Sequence, residues 1–209
     1  MGKERETAIV GGAKEGLPRS SRIRILYGVM SSENEDGDRA AAADVRRAVE
    51  RLAEEILGLP LDRREERLEA LPTALARGVA EVLIERAARR SRTAPEEAAD
   101  SARLGLLAAE CARLDPREAE VADLCATGYI ALGVAASALE RPADADAAFL
   151  AAAWYLDATP VPGTHAAFCA GLAELRARQG RSDEAAALFR HAADLEQAAG
   201  ESRSEAPDA

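Results

Sequence analysis

From Asp38 onward the apolar positions follow a helical rhythm. Val45, Val49, Leu52 and Ile56 recur at intervals of four, three and four, a stripe along one helix that Gly58 and Pro60 then stop. The stretch "DRREERLEAL" predicts a short helix with Asp62 as its N-cap, and after Pro72 a longer helix carries Leu75, Val79, Val82 and Leu83 on one side. That helix ends in Arg86, Arg89 and Arg90, where the negative end of the helix dipole favours cations. Thr93 and Glu96 have the spacing of a capping box, and Asp115 and Glu118 repeat it, so helices are expected from these points to about Leu114 and Leu139. Breaks at "ERP" and "TPVPGT" cut the remainder into helices over 142–157, 165–179 and 182–199. Short connections between amphipathic helices predict an all-α fold, a stack of antiparallel helical hairpins.

Residues 1–37 show no sustained period and read as a disordered tail, 38–199 as one helical domain, and 200–209 as a second disordered tail. Met30 is a second candidate for the natural start. Composition agrees with the helical reading, since 50 of the 209 residues are Ala, the strongest helix former and a residue that lets helices pack closely. Charge narrows the range of partners. The formal net charge is −10, and residues 1–28 carry six basic against three acidic side chains, so the acidity belongs to the helical body. Such a body repels a phosphate backbone, and a ratio of 25 Arg to two Lys reflects a GC-rich genome rather than nucleic-acid binding.

Three Cys, at 111, 125 and 169, make an odd number without a short-spaced pair, which points to a reducing compartment and a cytoplasmic location. The apolar piece "IRILYGVM" at 23–30 is short and contains an Arg, unlike a secretory leader. The charge-free run "LCATGYIALGVAASAL", 124–139, falls short of the ~20 residues a bilayer requires and reads as a helix buried in protein. His165 and Cys169 share a helix face but lack the second pair a metal site needs, and Cys169 reads as a small buried hydrophobe. His191, beside Arg190 with Asp194 and Glu196 near it, has no nucleophile to serve and reads as part of a charged helical face. "GGAKEG" lacks the Gly-Lys-Ser/Thr of a phosphate loop. No catalytic, cofactor-binding or metal-binding residue is assigned, and the chain is expected not to be an enzyme.

One internal echo stands out. "ERPADADAAFLAA" at 140–152 superposes without a gap on "GRSDEAAALFRHA" at 180–192, forty residues later. Leu132-Gly133 falls on Leu172-Ala173, Ala145 on Ala185, Phe149 on Phe189 and Ala152 on Ala192, and two of the three Phe thus occupy equivalent positions. This pattern resembles a degenerate, bacterial type of tetratricopeptide repeat, with units at 120–157 and 165–199, although Pro142 and a spacing of forty instead of ~34 depart from the regular unit. "APEEAADSARLGLLAAECARLDP" is similar to the second helix of a still more degenerate unit, extending the likeness to about 72–196.

The resemblance implies a scaffold or adaptor that holds an amphipathic helix or peptide of another protein in a concave groove. Carried over by register, the groove positions are Thr127, Ile130, Val134 and Ser137 in one unit and Ala170, Glu174, Ala177 and Arg178 in the next. The competing occupant is the chain's own N-terminal helix or basic tail. Trp154 falls on the side of its helix that the repeat leaves exposed; with Tyr155 it is a candidate interface anchor, while the buried average of Trp favours packing beneath a neighbouring element. The alternative functions are a self-associating module that forms a homodimer through the Trp154 helix and, behind it, a regulator of transcription machinery. Neither nucleic acid nor membrane is an expected partner.

Overall fold

The computed structural model describes residues 35–158 and 161–204, and among them the regular structure is entirely helical. Eight helices follow in order: α1 Glu35–Leu57, α2 Leu61–Glu69, α3 Thr73–Arg90, α4 Pro95–Cys111, α5 Ala119–Ala138, α6 Pro142–Leu156, α7 Pro162–Arg178 and α8 Ser182–Ser204. The expected tail 1–37 lies largely outside the described residues, but α1 begins inside it, at Glu35, and α8 runs five residues into the expected C-terminal tail, to Ser204. By contacts the chain divides into Met1–Val45 and Arg46–Ala209, and the hairpin stack belongs wholly to the second unit.

Within that unit the pairs α3–α4, α5–α6 and α7–α8 form antiparallel hairpins. Their first helices pack side by side, α3 on α5 and α5 on α7, while each second helix leans on the first helix of the next hairpin. Val49 of α1 lies over Gly78 of α3, where an added Cβ would meet it at 3.3 Å. The short α2 is tied to α4 by Arg64. Its guanidinium donates to the carbonyls of Leu57 and Leu59, which close α1, and to both carboxylate oxygens of Asp100 at 2.9 and 3.0 Å.

The helices approach closely because small residues stand at the crossings. A Cβ on Gly105 would lie 2.7 Å from Ile84, so α3 and α4 touch backbone to side chain there. The ring of Phe149 is wedged between Gly133 of α5 and Gly171 of α7: a Cβ at either glycine would meet it at 3.0 or 3.1 Å. Phe168 completes the cage edge-on, with ring centroids 5.9 Å apart. Across the same boundary Thr164 of α7 donates to the carboxylate of Asp123, which satisfies an acid buried in α5.

The echo between 140–152 and 180–192 is a geometric one. Glu140 and Gly180 both adopt a left-handed backbone, with φ of 57° and 77°. At each, the residue after the left-handed one donates back into the preceding helix, Arg141 to Ala136 and Arg181 to Arg176, both at 2.9 Å. The next helix then opens alike, with Ala145 donating to Arg141 and Ala185 to Arg181. Glycine takes this conformation at no steric cost and Glu140 does not.

The expected caps are corrected. Asp62 lies in the first turn of α2, not before it, and Pro60 holds the N-cap position. α4 starts behind Ala94 with no side-chain cap, so Thr93 and Glu96 do not form the box their spacing suggests. Asp115 instead accepts the backbone N–H of Arg117 in a local turn at 3.0 Å, and α5 begins later, at Ala119. At α2 and α4 a proline at or beside the helix start fixes the entry geometry without a side-chain bond.

Phe149 and Phe189 hold equivalent positions in very different company. Phe149 is 2% exposed beneath α7, whereas Phe189 is 44% exposed because no further hairpin follows α8 among the described residues. Phe149→Ala is therefore expected to cost about 3–5 kcal/mol in chemical denaturation, and Phe189→Ala well under about 2 kcal/mol. Equal losses would contradict the nesting described here.

Candidate functional site

The groove expected from the repeat register is mostly closed. Ile130 and Val134 of α5 are each 6% exposed and belong to one buried cluster with Phe149 and Leu175. Ser137 is buried as well, and its hydroxyl has no hydrogen-bond partner among the described residues. The cause is the approach of α7, for a Cβ on Gly171 would sit 2.8 Å from Val134. Thr127 is half-buried. On α7, Ala170 and Glu174 are half-buried and Ala177 and Arg178 exposed. Glu174 is further engaged by Arg92 from the α3–α4 connection, whose guanidinium donates to both carboxylate oxygens at 2.7 to 3.3 Å. The eight positions thus do not form one open wall: Ile130, Val134 and Ser137 are core residues, and only the α7 end faces solvent.

The open apolar surface lies on the other side of the stack. Helix α6 buries Ala145, Ala148, Phe149, Ala152 and Leu156, a stripe at helical spacing that uses one face fully. Leu150 and Trp154, one turn apart and off that stripe, are 76% and 62% exposed. The expectation that Trp154 packs beneath a neighbouring element is therefore corrected: no helix covers this side of α6 among the described residues. From Ala147 to Leu156 the sequence contains no charged residue, so the exposed edge is an unbroken apolar ridge. Tyr155 is half-buried, stacks on Tyr129 with centroids 5.7 Å apart, and takes the indole of Trp154 edge-on at 4.7 Å.

Beside the ridge is a cleft of about 610 Å³. It exists because α4 and α6 both lean on α5 without packing on each other. It is lined by Leu106 and Leu107 of α4, Val121 and Leu132 of α5, and Leu114 and Pro116 of the connection between these two helices. Its polar groups are Arg103 and Glu110 at the rim and Cys125, Tyr129 and Tyr155 within. Burial pushes the Cys125 thiol up from its ordinary pKa, partly offset by a hydrogen bond from the Tyr155 hydroxyl. Tyr129 and Tyr155 are raised too, by burial first and then by neighbouring Cys125. All three groups are therefore neutral at physiological pH, and the cleft offers apolar contact and hydrogen bonding rather than an activated nucleophile.

Elsewhere the chemistry is sparse. Cys169 is buried and no three His, Cys, Asp or Glu converge on a point among the described residues. Helix α5, long and apolar enough by composition to cross a membrane, is mostly buried inside the protein, under four helices of the same chain. Leu150 and the cleft residues escaped the sequence reading. Leu150 was detectable as the residue one turn before Trp154, whereas the cleft depends on the spacing of two helices.

The thiol shift has a measurable sign. With Cys111 and Cys169 replaced by Ser, the reaction of Cys125 with a thiol-specific reagent is expected to rise with pH through a pKa above that of an ordinary cysteine. Tyr155→Phe removes the hydrogen bond that favours the thiolate, so the profile should move to still higher pH. A shift to lower pH would contradict the assigned bond.

No protein-family model, curated protein or solved structure matches the chain.

Proposed function

We propose that this chain is a non-catalytic, cytoplasmic protein-interaction scaffold whose contact surface is the outward ridge of α6. The observation that carries this reading is the pair Leu150 and Trp154, two large apolar side chains exposed one helical turn apart with no charge between them. Exposed tryptophans rank among the strongest interface anchors, and an apolar ridge on a rigid support loses little conformational freedom on docking. The likeness of the last two hairpins to tetratricopeptide repeats favours the same class of function, because stacks of that kind present helical surfaces to other proteins. The inner face is the weaker candidate, since the α5 wall it needs is part of the core.

Site-specific photocrosslinking in the cells that make the protein separates the two faces. A photoreactive residue at Ala147, beside the ridge, is expected to give one discrete protein adduct, and the same residue at Ala177, on the exposed end of α7, none. An adduct from 177 alone would restore the groove, and no adduct from either would remove the scaffold reading.

A further inference from the structure

We propose that the α6 ridge and the adjoining cleft are the two halves of one self-complementary interface, and that its occupant is a second copy of this chain related by a twofold axis. This rests on the reading of α6 as the contact surface and names the partner. An isologous contact requires a projection and a matching recess on one face of one molecule, so that each copy gives and receives. Here they adjoin: the indole of Trp154 lies against Tyr155, whose ring lines the cleft. The recess has the volume of about twenty waters at ~30 Å³ each, and its leucine and valine walls match an inserted indole and isobutyl group.

Charge picks out a second copy over other apolar partners. The ridge is bracketed by Asp144 and Asp157, and residues 142–158 contain no basic side chain. The segment on the cleft side, 103–117, carries Arg103, Arg113 and Arg117 against Glu110 and Asp115. All three arginines and both bracketing aspartates are exposed, and none enters an ion pair among the described residues, in a chain where eleven other arginines do. The spans agree as well. At 1.5 Å per residue Asp144 and Asp157 lie about 20 Å apart along α6, and Arg103 and Arg113 about 15 Å along the line of α4. Laid antiparallel across the partner's cleft, α6 brings Asp157 toward the partner's Arg103 end and Asp144 toward its Arg113 and Arg117 end. The two segments that flank the cleft thus carry opposite charges over similar spans, which an antiparallel arrangement about a twofold axis sets against each other.

Sedimentation velocity of the full chain over a wide concentration range tests this. The expected result is a reversible dimer that Trp154→Ala and Leu150→Glu each weaken by at least about tenfold, with far-UV circular dichroism unchanged. A chain carrying Asp144→Arg and Asp157→Arg, and another carrying Arg103→Asp, Arg113→Asp and Arg117→Asp, should each dimerise poorly alone and combine one to one when mixed. A monomer at every concentration, a dimer indifferent to these changes, or charge variants that fail to combine would overturn the proposal. If the chain stays monomeric while residue 147 still crosslinks a different protein, the second-copy assignment fails and the scaffold reading stands. If 147 crosslinks nothing, the scaffold reading itself fails.

Discussion

The stack depends on one contact, the Phe149 ring held between Gly133 and Gly171. A side chain at either glycine would push α5, α6 and α7 apart, and the absence of one lets the first helices of successive hairpins lie close enough to close the core. Closeness decides where the chain can meet other molecules. Once α7 seats on Val134, the inner positions of α5 become interior, and the one adjacent pair of large apolar residues left exposed, Leu150 and Trp154, lies on the far side of α6. A chain with 50 alanines has few large side chains to place, so two of them standing exposed together is a pronounced departure from its own pattern.

The arginines follow the same logic. Many of them bridge neighbouring helices: Arg46 to Glu85 and Arg86 to Glu54 link α1 and α3, Arg77 to Glu120 links α3 and α5, and Arg92 reaches Glu174 on α7. Each exposed pair contributes at most about 1 kcal/mol. Their value lies in register, because a row of matched charges along the edges of packed helices penalises a slip by one turn. Eleven of the arginines are engaged in ion pairs within the fold. Arg176 shows the same use inside the last units, where its hydrogen bond holds the Asp146 carboxyl below the usual carboxylate range.

Much of the architecture was legible in the sequence. The apolar periodicity located every helix of the stack, and the repeated "ERPADADAAF" and "GRSDEAAALF" stretches marked two turns with a left-handed residue at the same place, Glu140 or Gly180, and the same backbone bonds. Helix starts were harder to read, since capping spacings are local signals: Pro95 opens α4 without a bond from Thr93, and Asp115 uses its carboxylate in a turn ahead of α5. The proposed contact surface was half legible. Trp154 was visible as an anchor, but its exposure depends on α6 directing a complete alanine-and-Phe149 stripe inward, and the cleft depends on α4 and α6 standing apart. The groove positions failed for a comparable reason: register places Ile130 and Val134 on the inner side of α5, but only the glycine on the next hairpin shows how tightly that side is covered.

The proposed role of α6 requires an outward ridge that is open in the single chain. Trp154 is the sole tryptophan, so its emission reports that ridge alone. Acrylamide quenching of this fluorescence across a dilution series is the most direct measurement. The ridge predicts an indole quenched almost as freely as in water when the protein is dilute and protected progressively as the concentration rises. An indole equally shielded at every concentration would mean that the chain covers Trp154 itself, and would contradict the account.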